Sequence, residues 1–126
     1  MTIRFKIAGL VIVGLFALGT PLIAHHSWPI DQSRLVTVKG TVTDIMWANP
    51  HPLYTLEVRN GGQPEKWVVG GPALNRMEAN GWNKSTLKIG DVITGIGYQF
   101  ADGQKIVRLE KAVMPDGKEM FLYGRR

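Results

Sequence analysis

Apolar and polar residues alternate over several stretches after residue 34, which is the pattern of half-buried β-strands. The first predicted strand runs from Leu35 to Trp47. One of its faces carries three valines: Val36, Val38 and Val42. Beyond Asp44 the apolar phase shifts by one residue, to Ile45. Such a shift is typical of a β-bulge, and Gly40 permits a sharp bend, so we expect a long, bent first strand.

Further strands and one helix are predicted along the rest of the chain. The strands cover about residues 54–58, 65–69, 92–98 and 105–113, with a short terminal strand at 119–123. Pro72 stands where a first helical residue would be and Gly81 where a helix would stop, so the segment from Pro72 to Asn80 is predicted to be helical. Three meandering strands, a helix and two more strands follow the order of an OB barrel.

The predicted fold class is therefore all-β with one short helix, built as a small OB-like antiparallel barrel of five to six strands. A small antiparallel sandwich is the competing architecture. The bulged first strand and the single helix between the third and fourth strands favour the barrel.

The first 24 residues have the pattern of a signal helix for export. Arg4 and Lys6 precede an apolar run from Ile7 to Leu18, which is twelve residues long. A membrane span needs about 20 apolar residues, so this run fits a signal peptide better, and Ala24 is a suitable cleavage residue. We expect residues 1–24 to be a signal peptide, with an uncleaved membrane anchor as the alternative. Residues 25–34 are then a polar arm, and residues 35–126 form the barrel domain of a periplasmic or secreted protein.

Charge and composition exclude several classes of function. The net charge of +5 comes from scattered basic residues, so no nucleic-acid partner is expected. The absence of cysteine rules out disulfides, thiolate metal sites and cysteine nucleophiles. The sequence has no H-E-x-x-H, G-x-S-x-G or phosphate-binding glycine loop, so no enzymatic activity is predicted.

Three histidines carry the most informative chemistry. Cleavage after Ala24 would leave His25 at the N-terminus, where its α-amine and imidazole can chelate one metal ion, with His26 beside it. Nitrogen ligands of this kind favour copper. His51, in the predicted turn after the first strand, would complete the site, because an extended arm spans roughly 30 Å and can fold back to it. In the alternative interpretation, the arm holds no metal and His51 is an ordinary turn residue.

Three motifs stand out in the chain: His25-His-Ser27, Trp47-Ala-Asn-Pro-His51 and Gly90-Asp-Val-Ile-Thr-Gly-Ile-Gly-Tyr98. In these motifs the chain resembles a family of small exported bacterial proteins known as a domain of unknown function. The resemblance covers essentially the whole chain after Ala24 and implies an OB-like fold and a periplasmic location, but no established activity. The pairing of the two histidine motifs favours a shared site more than either motif does alone. Trp28 stands where many members have Phe, and Pro52 follows the turn histidine; neither change removes a candidate ligand.

The leading hypothesis is a periplasmic OB-like binding module that holds copper or another transition metal through His25, His26 and His51. The rival hypothesis is a structural or interaction protein that binds no metal and serves as an accessory subunit for an envelope protein partner. A barrel that binds an oligosaccharide or another small molecule is a third interpretation. Contact with the membrane is expected only through the signal segment, if that segment stays uncleaved.

Overall fold

The computed structural model describes residues 28–123. Its elements in chain order are β1 (Ile30–Met46), β2 (Leu53–Val58), β3 (Glu65–Gly70), α1 (Leu74–Ala79), β4 (Val92–Phe100), β5 (Ile106–Val113) and β6 (Glu119–Phe121). The predicted signal peptide, His25 and His26 lie outside the described residues. Within residues 28–123, no helix has the length and apolar character needed to cross a membrane.

The strands form one sheet that closes on itself. Its order is β3-β2-β1-β4-β5-β6, and β3 also pairs with β5 in parallel, where Val69 lies opposite Val107. The other neighbouring strands are antiparallel. This ring of five strands, with the helix between β3 and β4, is the OB arrangement, and β6 extends it beyond β5. The predicted all-β fold with one short helix is confirmed.

Strand β1 is long and irregular, as its sequence predicts. Its register against β2 shifts between Val42 and Asp44, which is the expected bulge. A Cβ atom on Gly40 would lie 2.7 Å from the carbonyl oxygen of Glu57, so the two strands approach more closely there than a side chain would allow.

The strand begins earlier than the sequence pattern indicates. It starts at Ile30 rather than Leu35, so the last five residues of the predicted arm belong to the barrel. The backbone N–H of Ser33 donates to Asp31 Oδ1 at 2.9 Å, and the pairing with β4 is interrupted between Ile30 and Leu35. Residues 31–34 of the predicted arm therefore form an irregularity inside the strand.

The core fills the barrel with residues from every strand of the ring and from the segments around α1. The largest fully buried side chains include Trp82, Tyr54, Leu56, Met77, Leu87, Ile93, Leu109 and Leu122. The buried Trp82 also satisfies its polar atom, because its indole Nε1 donates to the carbonyl oxygen of Phe121 at 2.9 Å. This bond joins the chain after α1 to the end of β6.

The face of strand β4 that points into the barrel carries two glycines. Ile93, Gly95 and Gly97 are buried, whereas Tyr98 lies on the opposite face. A Cβ atom on Gly97 would overlap the carbonyl oxygen of Arg108, so only glycine allows β4 and β5 to pair this closely. This pairing sets Tyr98 directly opposite Arg108.

Candidate functional site

His51 lies in the loop between β1 and β2, and this loop is tied to the one that leads into α1. The His51 Nδ1 atom is 3.0 Å from the carbonyl oxygen of Gly71. The backbone N–H of Gly71 in turn donates to the carbonyl oxygen of Pro52 at 3.2 Å. These two contacts fix the half-buried His51 ring next to the chain that enters the helix.

The contact with Gly71 also determines which ring nitrogen of His51 is free. A backbone carbonyl can only accept a hydrogen bond, so Nδ1 is the donor in this contact. In the neutral ring, Nε2 then carries the lone pair that can bind a proton or a metal ion. Metal-binding histidines commonly have this second bond to a carbonyl, which orients the ring.

Trp28 packs against the His51 ring at the first described residues of the chain. The centroids of the two rings are 4.7 Å apart at an interplanar angle of 46°, and the ring of Phe100 meets Trp28 edge-on at 5.7 Å. A Cβ atom on Gly70 would lie 2.9 Å from the Trp28 ring, so this glycine makes room for the indole. Backbone bonds hold the same segment, because Ala101 N–H donates to the carbonyl oxygen of Pro29 at 2.9 Å.

The start of α1 is capped from the site loop. Ala73 precedes the helix and has no capping side chain, and its ψ of 155° keeps it out of the helix. The backbone N–H of Leu74 donates instead to Asn49 Oδ1 at 3.1 Å. The helix therefore begins at Leu74, two residues later than predicted, and its position depends on the His51 loop.

A cleft of about 750 Å³ opens beside His51, between the start of β1 and α1. Its polar lining comes from His51 itself and from Gln32, Asn75, Arg76, Arg108 and Tyr123, and none of its described lining residues is an aspartate or a glutamate. The sequence pattern did not predict this group of residues. The one available signal was Arg108, a cation placed between two core residues of the fifth strand, Val107 and Leu109.

Arg108 is enclosed by aromatic rings. Its Cζ atom lies 5.1 Å from the ring centroid of Tyr123 and 5.7 Å from that of Tyr98. Its Nη2 atom pairs with Glu110 Oε1 at 2.8 Å, whereas its Nε is buried without a hydrogen-bond partner. The guanidinium is therefore held in place at the edge of the cleft.

A second arginine approaches Tyr123. The Cζ atom of Arg76 lies 5.5 Å from the Tyr123 ring centroid. Burial raises the pKa of the Tyr123 hydroxyl, and the charge of Glu110 acts in the same direction, while Arg108 and Arg76 oppose the rise. The phenol is therefore neutral at physiological pH and adds no charge to the cleft.

The predicted metal ligands are only partly within the described residues. His51 is in place with Nε2 as the remaining ring nitrogen, whereas His25 and His26 precede residue 28. Among residues 28–123, no group of three or more His, Asp or Glu side chains is arranged to hold a metal ion. The site of three histidines stays a prediction.

Comparisons with known proteins place the chain in a family. Among solved structures, the chain is similar to part of a crystal structure of TiaS in complex with a transfer RNA and ATP, at 15% identity and a TM-score of 0.49. That match covers 72% of this chain and 20% of the other, so the chain spans about a fifth of that protein. No curated protein matches this sequence. The family model described as "Family of unknown function (DUF6152)" matches residues 13–108, which is more than half of the chain, and the chain therefore belongs to this family.

Proposed function

We propose that the protein is an exported, periplasmic OB-like binding module that holds Cu(II) through His25, His26 and His51. The observation that carries the proposal is the contact between Trp28 and His51, whose ring centroids are 4.7 Å apart. It brings the chain that directly follows the two N-terminal histidines to the third one.

Chain connectivity supports a shared site. His26 is two residues before Trp28, so covalent geometry limits the distance between their Cα atoms to about 7 Å. The separation of His26 and His51 along the sequence therefore does not prevent the two side chains from sharing one site. The half-buried position of His51 shields one side of the proposed site from water, which strengthens the binding of a charged ion to its ligands.

The donor set suits copper. With cleavage after Ala24, His25 offers its α-amine and its imidazole, His26 a second imidazole, and His51 its Nε2 atom. Nitrogen ligands suit Cu(II), and the affinity series of divalent first-row metals peaks at copper. The hydrogen bond from His51 Nδ1 to Gly71, 3.0 Å long, would keep the ring oriented in both the free and the bound protein.

The test is a copper titration of the full processed chain, exported by its own signal, stripped of metal and checked at its N-terminus by intact mass. We expect one Cu(II) per chain in calorimetry, with nitrogen couplings in the electron paramagnetic resonance spectrum. His51→Gln should weaken binding by about tenfold or more. Lys84→Gln, at an exposed residue outside the cleft, is the matched control and should leave the affinity unchanged.

A second variant isolates the N-terminal amine. Three glycines inserted before His25 should abolish the tight site, because the α-amine and the imidazole would no longer belong to one residue and no histidine would be the second or third residue of the chain. Equal affinity in the wild type and in His51→Gln would remove His51 from the site. Binding no stronger than in a variant without histidines would refute the metal proposal and favour an interaction module without metal.

A further inference from the structure

We propose that the cleft beside α1 binds a small organic anion, whose carboxylate or phosphate group is held by Arg76 and whose apolar part lies against Tyr123 and Trp28. Arg108, which also lines the cleft, contributes further positive charge. This inference does not depend on copper, because none of the groups that it uses is a proposed metal ligand.

The charge balance of the cleft is the first argument. Of the two arginines in the lining, Arg108 is paired with Glu110 through Nη2 at 2.8 Å. Arg76 has no carboxylate within 4 Å among residues 28–123. Because the described lining holds no acidic residue, the cleft keeps a net positive charge.

The position of that charge is the second argument. The guanidinium carbons of Arg76 and Arg108 lie 5.5 and 5.1 Å from the Tyr123 ring centroid, so two like charges lie near one aromatic side chain. The side chain of Arg108 is only 23% exposed, so water screens its charge less than that of a surface arginine. An anion placed between the two groups would offset their repulsion and accept charge-assisted hydrogen bonds.

The remaining surface indicates the size and character of the ligand. A volume of about 750 Å³ falls in the usual range for small-molecule sites. Trp28, Pro72 and Ala73 add apolar surface, and Asn75 and Gln32 add amide groups. The Asn75 Oδ1 atom accepts the backbone N–H of Arg76 at 2.9 Å, which leaves its amide hydrogens free to donate to an oxyanion.

The experiment titrates the metal-free, processed chain with benzoate, phenyl phosphate and inorganic phosphate. It records calorimetry and the NMR signals of the indole N–H groups, in the presence of a chelator. We expect saturable binding of at least one aromatic anion, with a shifted Trp28 indole signal. Arg76→Gln should weaken that binding by about tenfold or more. Arg59→Gln removes the same charge at a side chain that is 75% exposed and outside the cleft, and it should change the affinity less than twofold.

Each result bears directly on the proposal. A preference between benzoate and phenyl phosphate identifies the oxyanion and supports it. Absence of saturable binding by both aromatic anions would overturn it. Equal weakening by Arg59→Gln would show attraction to net charge alone, and equal affinity for inorganic phosphate would exclude a ligand with an apolar part. Because the chelator excludes copper, these outcomes are independent of the copper titration.

Discussion

Asn49 accepts a hydrogen bond at Oδ1 from the backbone N–H of Leu74, 3.1 Å away and 25 residues later in the sequence. The bond joins the loop that holds His51 to the helix that carries Arg76. It therefore links the proposed metal ligand to the proposed anion site.

Replacing Asn49 tests this link. Asn49→Ala removes the side-chain acceptor of the Leu74 N–H at the start of α1, and we expect it to lower the free energy of unfolding by about 1 kcal/mol. Urea denaturation measures the change. Asn60→Ala is the matched control, because Asn60 is exposed in the β2–β3 turn and its side chain makes no hydrogen bond within residues 28–123. Equal losses of stability in Asn49→Ala and Asn60→Ala would show that the hydrogen bond from Leu74 to Asn49 contributes little.

The Trp28 ring is expected to position His51 for metal binding. Trp28→Ala removes the ring that packs 4.7 Å from His51 and should weaken copper binding by about tenfold. Trp28→Phe keeps an aromatic ring there and should bind nearly as tightly as the wild type. Calorimetric titration of both variants measures the difference. Equal affinities in the two variants would contradict an orienting role for the ring.

Two tryptophans should differ in their contribution to stability. Trp82 is 1% exposed and donates to Phe121, so Trp82→Ala is expected to lower the free energy of unfolding by about 3 to 5 kcal/mol. Trp47 is only partly buried against the core, so Trp47→Ala should cost clearly less. Chemical denaturation of both variants makes the comparison. A larger loss of stability for Trp47→Ala than for Trp82→Ala would contradict the position of Trp82 in the core.

Gly97 should tolerate no side chain. A Cβ atom there meets backbone atoms of Arg108 and Leu109, which cannot rotate away as a side chain can. Gly97→Ala is expected to cost at least about 3 kcal/mol, at the upper end of overpacking effects. Gly62→Ala, in open space, should be neutral or stabilise by about 0.5 kcal/mol. Thermal and urea unfolding would reveal the contrast, and similar stabilities would refute the close approach of β4 and β5.

Tyr54 should make the protein sensitive to alkaline pH. Burial raises the pKa of its hydroxyl to about 12, from 10.0, and the hydroxyl oxygen has no hydrogen-bond partner in the described structure. Between those values the unfolded chain loses this proton before the folded one does, so stability falls as pH rises from 10 to 12. Tyr54→Phe should be close to neutral at pH 7 and should reduce the loss between pH 10 and 12 by about 2 kcal/mol. An unchanged alkaline slope in urea titrations would contradict this assignment.

Much of the barrel could be predicted from local pattern. The valines of β1 and the phase shift at Asp44 predicted its inward face and its bulge. Both are local properties, because alternation and glycine placement act within a few residues. The true start of β1 at Ile30 was missed, since its pairing with Phe100 is a contact between residues 70 positions apart.

The sequence alone determined the all-β class, the order of the strands along the chain and the single helix that ends before Gly81. It also identified His51 as a candidate metal ligand. Only the tertiary structure decided that the ring closes between β3 and β5, that Trp28 packs on His51, and that Arg76 and Arg108 share the Tyr123 ring. The physical reason is that alternation and turn chemistry are written in neighbouring residues. Contacts between distant segments depend instead on how the whole core packs, and no local pattern encodes them.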